Sequence, residues 1–422
     1  MGSEWPAVPF IELCSHSAFG PRFSGEAYAV DGNVATLRTT DIRADGRIEY
    51  STMPLAKLDL AKFRQHLLQS GDLVITRSGR VGTTAVFVEH RLPVLPGAFL
   101  ICFRLRTDRA DPKFYTYFFN SPEGQHLLSS VATGSAQQNL NITSVHRLRV
   151  PMPPLSVQKR ISRILGVLDD KIEQNRRMSQ TLEAMARALF KSWFVDFDPV
   201  RAKAEGCNPR LPEEVAELFP DSFCDSEFGE IPCGWRIAAL GDIATSSRLA
   251  VKPTDIDPAT PYIGLEHMPR KSIALAEWGR AESAESGKSE FHTGEILFGK
   301  LRPYFHKVGV APTDGVCSTD IVVVVPKEEL WFGVVLGHTS SDEFIEYTNA
   351  SSAGTRMPRT SWTDMARFPL VVPPIALASA FTDQVRPAID RIASSVHENR
   401  TLANVRDSLL PALVSGGSRL GS

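Results

Sequence analysis

A chain of 422 residues with a net charge of −2, 43% hydrophobic and 22% charged residues has the composition of a globular protein of two to three domains. It can bury a core without a disulfide or metal staple, and disorder as its main state is excluded. The longest apolar run, Ala98 to Phe103, is far below the roughly 20 residues of a membrane helix, so no membrane partner is expected. Met1 to Cys14 carries no basic segment followed by an apolar core, which predicts no secretory signal and a cytoplasmic location. The six cysteines (Cys14, Cys102, Cys207, Cys224, Cys233, Cys317) are scattered with no CxxC pair, and reduced thiols are expected throughout.

In chain order, short β-branched and aromatic runs at 73–75, 84–88 and 99–105 read as strands, and 112–119 reads as a helix. Gly79-Arg-Val-Gly82-Thr-Thr84 lacks the lysine and spacing of a phosphate loop and reads as a turn between strands. Pro153-Pro154 then forces an extended entry into a long helix of about 156–195, with Ser156 as its N-cap. Its apolar stripe runs Ile161, Leu165, Leu168, Ile172 and then Met178, Leu182, Met185, Leu189. Such a helix is roughly 60 Å long. The adjacent Asp169 and Asp170 point about 100° apart and read as solvated charges rather than a metal site.

The second half repeats the first. The Pro-Pro pairs 153–154 and 373–374 are offset by 220, Gly71-Asp-Leu-Val-Ile75 matches Gly294-Glu-Ile-Leu-Phe298 at 223, Thr36–Ile42 matches Tyr262–Met268 at 226, and Trp5 matches Trp235 at 230. Strands are expected at 296–298, 306–310 and 319–325, and one helix at 332–347. A second long helix follows, with the stripe Ile389, Ile392, Val396, Leu402, Val405, Leu409, Leu413, and Pro387 and Pro411 as expected kinks or ends. Both stripes carry an asparagine at the same place, Asn175 and Asn399, which predicts helices that pack together, antiparallel, with these residues fixing register.

The expected fold is therefore α/β (α+β): two globular recognition units and two long antiparallel coiled-coil helices in a pseudo-two-fold repeat. The expected boundaries are 1–152 for the first unit, 153–198 for its helix, 199–233 for a linker, 234–372 for the second unit and 373–418 for the distal helix. Two readers held by a rod of this kind suit half-sites on DNA, which recur about 34–36 Å apart or at multiples of that distance.

No catalytic constellation is evident. No histidine pair has metal spacing, and Asn208-Pro209-Arg210 is the nearest approach to an amino-methylation motif. Residues 1–150 carry a net +3 and residues 234–372 a net −3, so DNA contacts must come from local loops. Three matched regions qualify. Arg77, Ser78 and Arg80 leave a strand, as do Lys300, Arg302 and Tyr304. Gln137, Gln138, Asn139 and Asn141 match Arg356 and Arg359. Arg38 and Thr39 match the Gly264–His267 region. Arginine suits guanine edges and phosphate, and Gln and Asn suit adenine. Trp193, Phe194 and Phe197 end the first long helix and could dock a partner or pack against the neighbouring unit.

Pro153-Pro-Leu-Ser-Val-Gln-Lys-Arg-Ile161, Leu168-Asp-Asp-Lys-Ile-Glu-Gln-Asn175 and Leu189-Phe-Lys-Ser-Trp-Phe-Val-Asp-Phe197 resemble the central region of type I restriction-modification specificity subunits. Phe197-Asp-Pro-Val-Arg201, Leu211-Pro-Glu-Glu214, Phe228-Gly-Glu-Ile-Pro232 and Gly234-Trp235 fit the same pattern. Val157 departs from the acidic residue usual in the family, and the second repeat has Ala378 where the first has Gln158. The resemblance implies a non-catalytic subunit with no cofactor of its own. Its target domains would read a split site in double-stranded DNA, and its helices would dock two methyltransferase subunits. Restriction subunits would join, with S-adenosylmethionine, ATP and Mg held by the partners. A single-chain nuclease and a two-headed protein-binding scaffold are the alternatives.

Overall fold

The structure is a computed structural model and describes residues 5–134, 138–247, 250–283, 287–352 and 357–415. The chain forms two compact units, one of residues 1–170 with 402–422 and one of residues 171–401. The first long helix, Leu155–Phe194, and the second, Ile375–Ser415, each contribute to both units.

In the first unit, an antiparallel sheet runs in the order Cys14–Phe19, Leu100–Leu105, Leu73–Thr76, Thr84–Val86. A second sheet sets Val34–Leu37 antiparallel to Leu55–Ala56 and parallel to Val94–Pro96. The head closes where Ala7–Pro9 pairs with Arg149–Pro151, immediately before Pro153-Pro154. The alternation of Leu100–Leu105 explains why two sheets form. Ile101, Phe103 and Leu105 face one core with Phe10, Phe114 and Phe118, while Leu100 and Cys102 face another with Leu37, Val74 and Phe87.

The second unit repeats this plan. Its corresponding sheet runs Ala244–Ser247, Ile321–Pro326, Ile296–Gly299, Val308–Val310, its parallel pair is Pro261–Ile263 with Gly315–Cys317, and it closes with Arg236–Ala239 against Pro369–Val372. The Phe10 amide donates to the Leu148 carbonyl at 2.9 Å and the Leu240 amide to that of Phe368 at 2.8 Å. Sequence offsets of 230 to 220 are thus strand-by-strand equivalences.

Several local expectations are corrected. Helix Leu155–Phe194 starts one residue before Ser156, which lies within the first turn. Ile375–Ser415 runs through both Pro387 and Pro411, so neither marks a helix end. The segment expected as one helix is two, Phe332–Thr339 and Asp342–Ala350, because the Ser341 hydroxyl caps the second by accepting from the Phe344 amide at 3.1 Å. Asp169 is not a solvated charge: it is 17% exposed and takes the Tyr117 hydroxyl at 2.6 Å and Arg406 at 2.8 Å. Cys224 and Cys233 form a disulfide across the hairpin Phe223–Ser226 and Gly229–Pro232, with a Cα–Cα distance of 5.1 Å. The hairpin turn, invisible in the cysteine spacing, brings them within bonding range. The 199–233 stretch folds into the second unit, burying Val200, Phe219 and Ile231.

Each head is locked to the start of the helix that follows it. Gln158 is fully buried. Its Oε1 accepts from the Asp111 amide at 2.8 Å, and its Nε2 donates to the carbonyls of Arg109 and Pro153 at 3.0 and 2.8 Å. In the second unit, where Ala378 replaces the glutamine, Thr382 serves instead. Its hydroxyl accepts from the Gly333 amide at 3.0 Å and donates to the Leu330 carbonyl at 2.6 Å.

Within the second unit the helix segments run antiparallel, since Asn175 meets Asn399 while Phe190 and Phe194 meet Phe381. The Asn175 Nδ2 donates to Asn399 Oδ1 at 3.0 Å and to Glu398 Oε2 at 2.9 Å. The buried face departs from the expected stripe beyond Asn175. Ser179, Glu183 and Phe190 are inside and Met185 is 62% exposed, while on the second helix Val405 and Leu409 face out. Glu183 can be buried because Ser272 and the Ile273 amide donate to its carboxylate at 2.9 and 3.1 Å and Arg187 pairs with it at 2.8 Å. Burial outweighs these donors and raises its pKa.

Two predictions follow from this packing. Asn175→Ala should cost about 1–2 kcal/mol of stability, and combining it with Asn399→Ala should cost less than the sum, as measured by a denaturation double-mutant cycle. His338 is 7% exposed, packed edge-on against Phe190 at 4.9 Å, and burial depresses its pKa from 6.5 to about 4. Only the unfolded chain takes up this proton between those values, so the contribution to stability is complete above pH 6.5 and is lost as pH falls toward 4. Thermal melts of His338→Phe should show about 2 kcal/mol less destabilisation than the parent on going from pH 7.5 to 5.

Candidate nucleic-acid interface

In the first unit three loops are joined by backbone hydrogen bonds. Arg77, just past strand Leu73–Thr76, donates its amide to the Phe99 carbonyl at 2.9 Å, and its carbonyl accepts from the Leu140 amide at 3.0 Å. The Gly97 amide donates to the Leu37 carbonyl at 2.8 Å, bringing in the segment that begins at Arg38. The turn between Thr76 and Thr83 is tight, with Gly79 and Gly82 at φ of +79° and +89°, where a side chain would be strained. This is the turn the sequence suggests.

The expected contact residues divide by how far their polar groups are already engaged. Arg80 is exposed and has no ion-pair partner among the described residues. The Arg77 guanidinium lies over the Phe19 ring at 4.5 Å, with its Nε enclosed and without a hydrogen-bond partner among the described residues. Gln138 is exposed, whereas Asn139 is half-buried and bridges Thr133 through paired backbone bonds of 2.8 and 2.9 Å. Ser78 is buried and Thr39 half-buried. Asn141 caps helix Ile142–His146 by accepting from the Thr143 amide at 3.0 Å. Arg38 forks onto the buried Asp41 at 3.0 and 2.7 Å and also donates to the Thr52 carbonyl, so most of its donors serve the fold. Gln137 and Arg356 lie outside the described residues.

The second unit carries the same frame with different side chains. The Lys300 amide donates to the Asp320 carbonyl at 2.9 Å, and the Lys300 carbonyl accepts from the Thr360 amide at 3.0 Å. Arg359 is half-exposed and pairs with Asp320 at 2.6 Å. Arg302 and His306 both adopt left-handed φ, +52° and +50°, on either side of the turn Pro303–Phe305, which exposes Tyr304. The Arg302 amide donates to the Pro358 carbonyl at 2.7 Å. His306 anchors the turn from inside. Its Nε2 meets the Ser340 carbonyl at 3.0 Å, its Nδ1 lies 3.3 Å from Asp342, and burial lowers its pKa. Gly264 stands in the place of Arg38, and its amide donates to His267 as that of Arg38 does to Asp41.

Phe99, Asp320 and Glu183 were not legible as site residues. The run 99–105 reads as one strand, but the strand begins at Leu100, leaving Phe99 58% exposed on the preceding turn. Trp193, Phe194 and Phe197 are 2%, 4% and 9% exposed, in a core with Phe219, Trp235 and Phe381. Packing within the second unit accounts for all three, and little of them is left to dock a partner. Among the described residues no cluster of His, Cys, Asp or Glu could hold a metal, and no helix is long and apolar enough to cross a membrane. Burial raises the thiol pKa values of Cys14 and Cys317 to about 12, which leaves them unreactive.

Comparison with known proteins agrees with this architecture. Residues 17–184 match the family described as the type I restriction modification DNA specificity domain. The HindI specificity subunit of Haemophilus influenzae is 24% identical over 94% of this chain and 96% of its own length. The MjaIX specificity subunit of Methanocaldococcus jannaschii is 23% identical over 84% of this chain and 79% of its own. The crystal structure of a type I restriction-modification S subunit from M. genitalium superposes with a TM-score of 0.58 at 13% identity, covering 98% of this chain and 96% of that one, a likeness of fold. With two repeated heads, two long packed helices and these relatives along its length, the chain is similar throughout to type I restriction-modification specificity subunits.

Proposed function

We propose that the chain reads a bipartite DNA target, one head to each half-site. The observation that carries this reading is the matched frame around Arg77 and Lys300, where equivalent backbone bonds hold donor-rich loops of different chemistry. One frame with two side-chain sets suits two recognised sequences. Arg77, Arg80, Gln138 and Asn139 serve the first head, and Lys300, Arg302, Tyr304 and Arg359 serve the second. Arg38 and Asn141 shape the surface, since their polar groups are spent on Asp41 and on a helix cap.

The long helices set the gap between half-sites, Asn175 and Asn399 fix their register, and two methyltransferase subunits dock along them. Restriction subunits complete the assembly, which works in the cytoplasm. S-adenosylmethionine belongs to the methyltransferase partners, and ATP and Mg to the restriction partners. With the second head net acidic, much of the phosphate neutralisation comes from the partners.

Three measurements test this. Exchanging residues 1–150 for those of a relative should change one half of the methylated sequence, read by methylation mapping. A change in both halves would overturn the assignment of one head per half-site. One heptad inserted into each long helix, about 10 Å, should lengthen the gap by roughly three base pairs and leave the half-sites intact. In the complex with methyltransferase, Arg80→Ala should weaken binding evenly across sequences and reduce the salt slope by about 1.

A further inference from the structure

The turn at Gly97–Leu100 is where the three loops of the first head meet. It is closed by the Leu100 amide donating to the Gly97 carbonyl at 3.0 Å. The Gly97 amide ties it to Leu37, beside Arg38, and the Phe99 carbonyl ties it to Arg77, whose own carbonyl holds Leu140 next to Gln138 and Asn139. The Gly20 amide donates to the Leu100 carbonyl at 3.0 Å, and Gly20 and Gly97 approach so closely that a Cβ on Gly20 would lie 1.9 Å from the Gly97 carbonyl oxygen. The backbone here is braced on every side, yet it presents the Phe99 ring to solvent at 58% exposure. The segments that these backbone bonds join to it carry polar side chains, with Arg38, Arg80 and Gln138 all exposed. One ring among donors does not make an apolar docking patch. It matches a surface that offers one apolar group among hydrogen-bonding edges.

The major groove is such a surface. Each thymine displays a methyl group beside the acceptors and donors of neighbouring bases. We propose that Phe99 is a specificity-determining residue that packs on a thymine methyl in the half-site of the first head, while Arg77, Arg80 and Gln138 meet the edges and phosphates around it. The second head has Asp320 at the equivalent position, paired with Arg359, so its half-site carries no such methyl requirement. This assignment rests on the proposed reading of DNA by the head loops.

The test uses the full chain with its methyltransferase partner and a duplex carrying the target found by methylation mapping. Each thymine of the first half-site is replaced in turn by deoxyuridine, which lacks only the methyl. One replacement should cost about four- to tenfold in affinity. Phe99→Ala should cost about as much on the thymine duplex and abolish the difference between thymine and deoxyuridine at that position alone. Parent-like binding by Phe99→Ala, an equal loss on every duplex, or indifference of the parent to deoxyuridine would each overturn the assignment. Arg77→Ala and Arg80→Ala separate the two levels. If they weaken binding while Phe99→Ala does not, only the role of Phe99 fails. If all three bind like the parent, the loop reading itself fails. Phe99 is exposed, so its variant should melt at the parent temperature.

Discussion

The structure depends on one repeated constraint: each head's first strand pairs with its last, directly ahead of a Pro-Pro step. Ala7–Pro9 on Arg149–Pro151 and Arg236–Ala239 on Pro369–Val372 bring the two ends of a head of some 140 residues together. The prolines that follow cannot donate to a ladder or continue a strand, so the chain leaves extended and can enter a helix only after them. Each head therefore stands on the root of its own helix, and its variable loops can change without disturbing how it is carried.

Burial at that root makes the joint rigid. Gln158 in one unit and Thr382 in the other satisfy both a buried amide and a buried carbonyl at the start of a head helix. An unpaired group of this kind costs about 1–3 kcal/mol, so the joint has a single favoured geometry. The two repeats reach it with different residues one turn apart. Ala378 is thus not a loss of function at the Gln158 position, since the task has moved to a hydroxyl that can both accept and donate.

The same frame with altered side chains recurs at the candidate interface. Backbone bonds around Arg77 and Lys300 match almost bond for bond, while Phe99 gives way to Asp320 and Arg38 to Gly264. Backbone geometry is set by the sheet and is insensitive to which side chains point outward. That separation lets one fold carry two surfaces of different chemistry. Structural demands still occupy the polar groups of some surface residues: Asn141 is held by a helix end, and Arg38 by the buried carboxylate of Asp41.

Sequence alone carried the duplication, the long helices and six of the strands, because these rest on local patterns: repeated motifs, Pro-Pro breaks and apolar periodicity. The paired asparagines were legible for the same reason, as matched polar breaks in matched stripes. Tertiary structure decided what depends on neighbours distant in sequence. Glu183 is inside and Met185 outside because Ser272 and Ile273 bring donors to one face of the helix. Asp169 is half-buried because Tyr117 and Arg406 converge on it, and Cys224 meets Cys233 because a hairpin turns between them. Phe99 is exposed because its strand starts one residue later than its composition suggests. Periodicity reports which residues prefer burial, and only the fold supplies the partners that decide which of them obtain it.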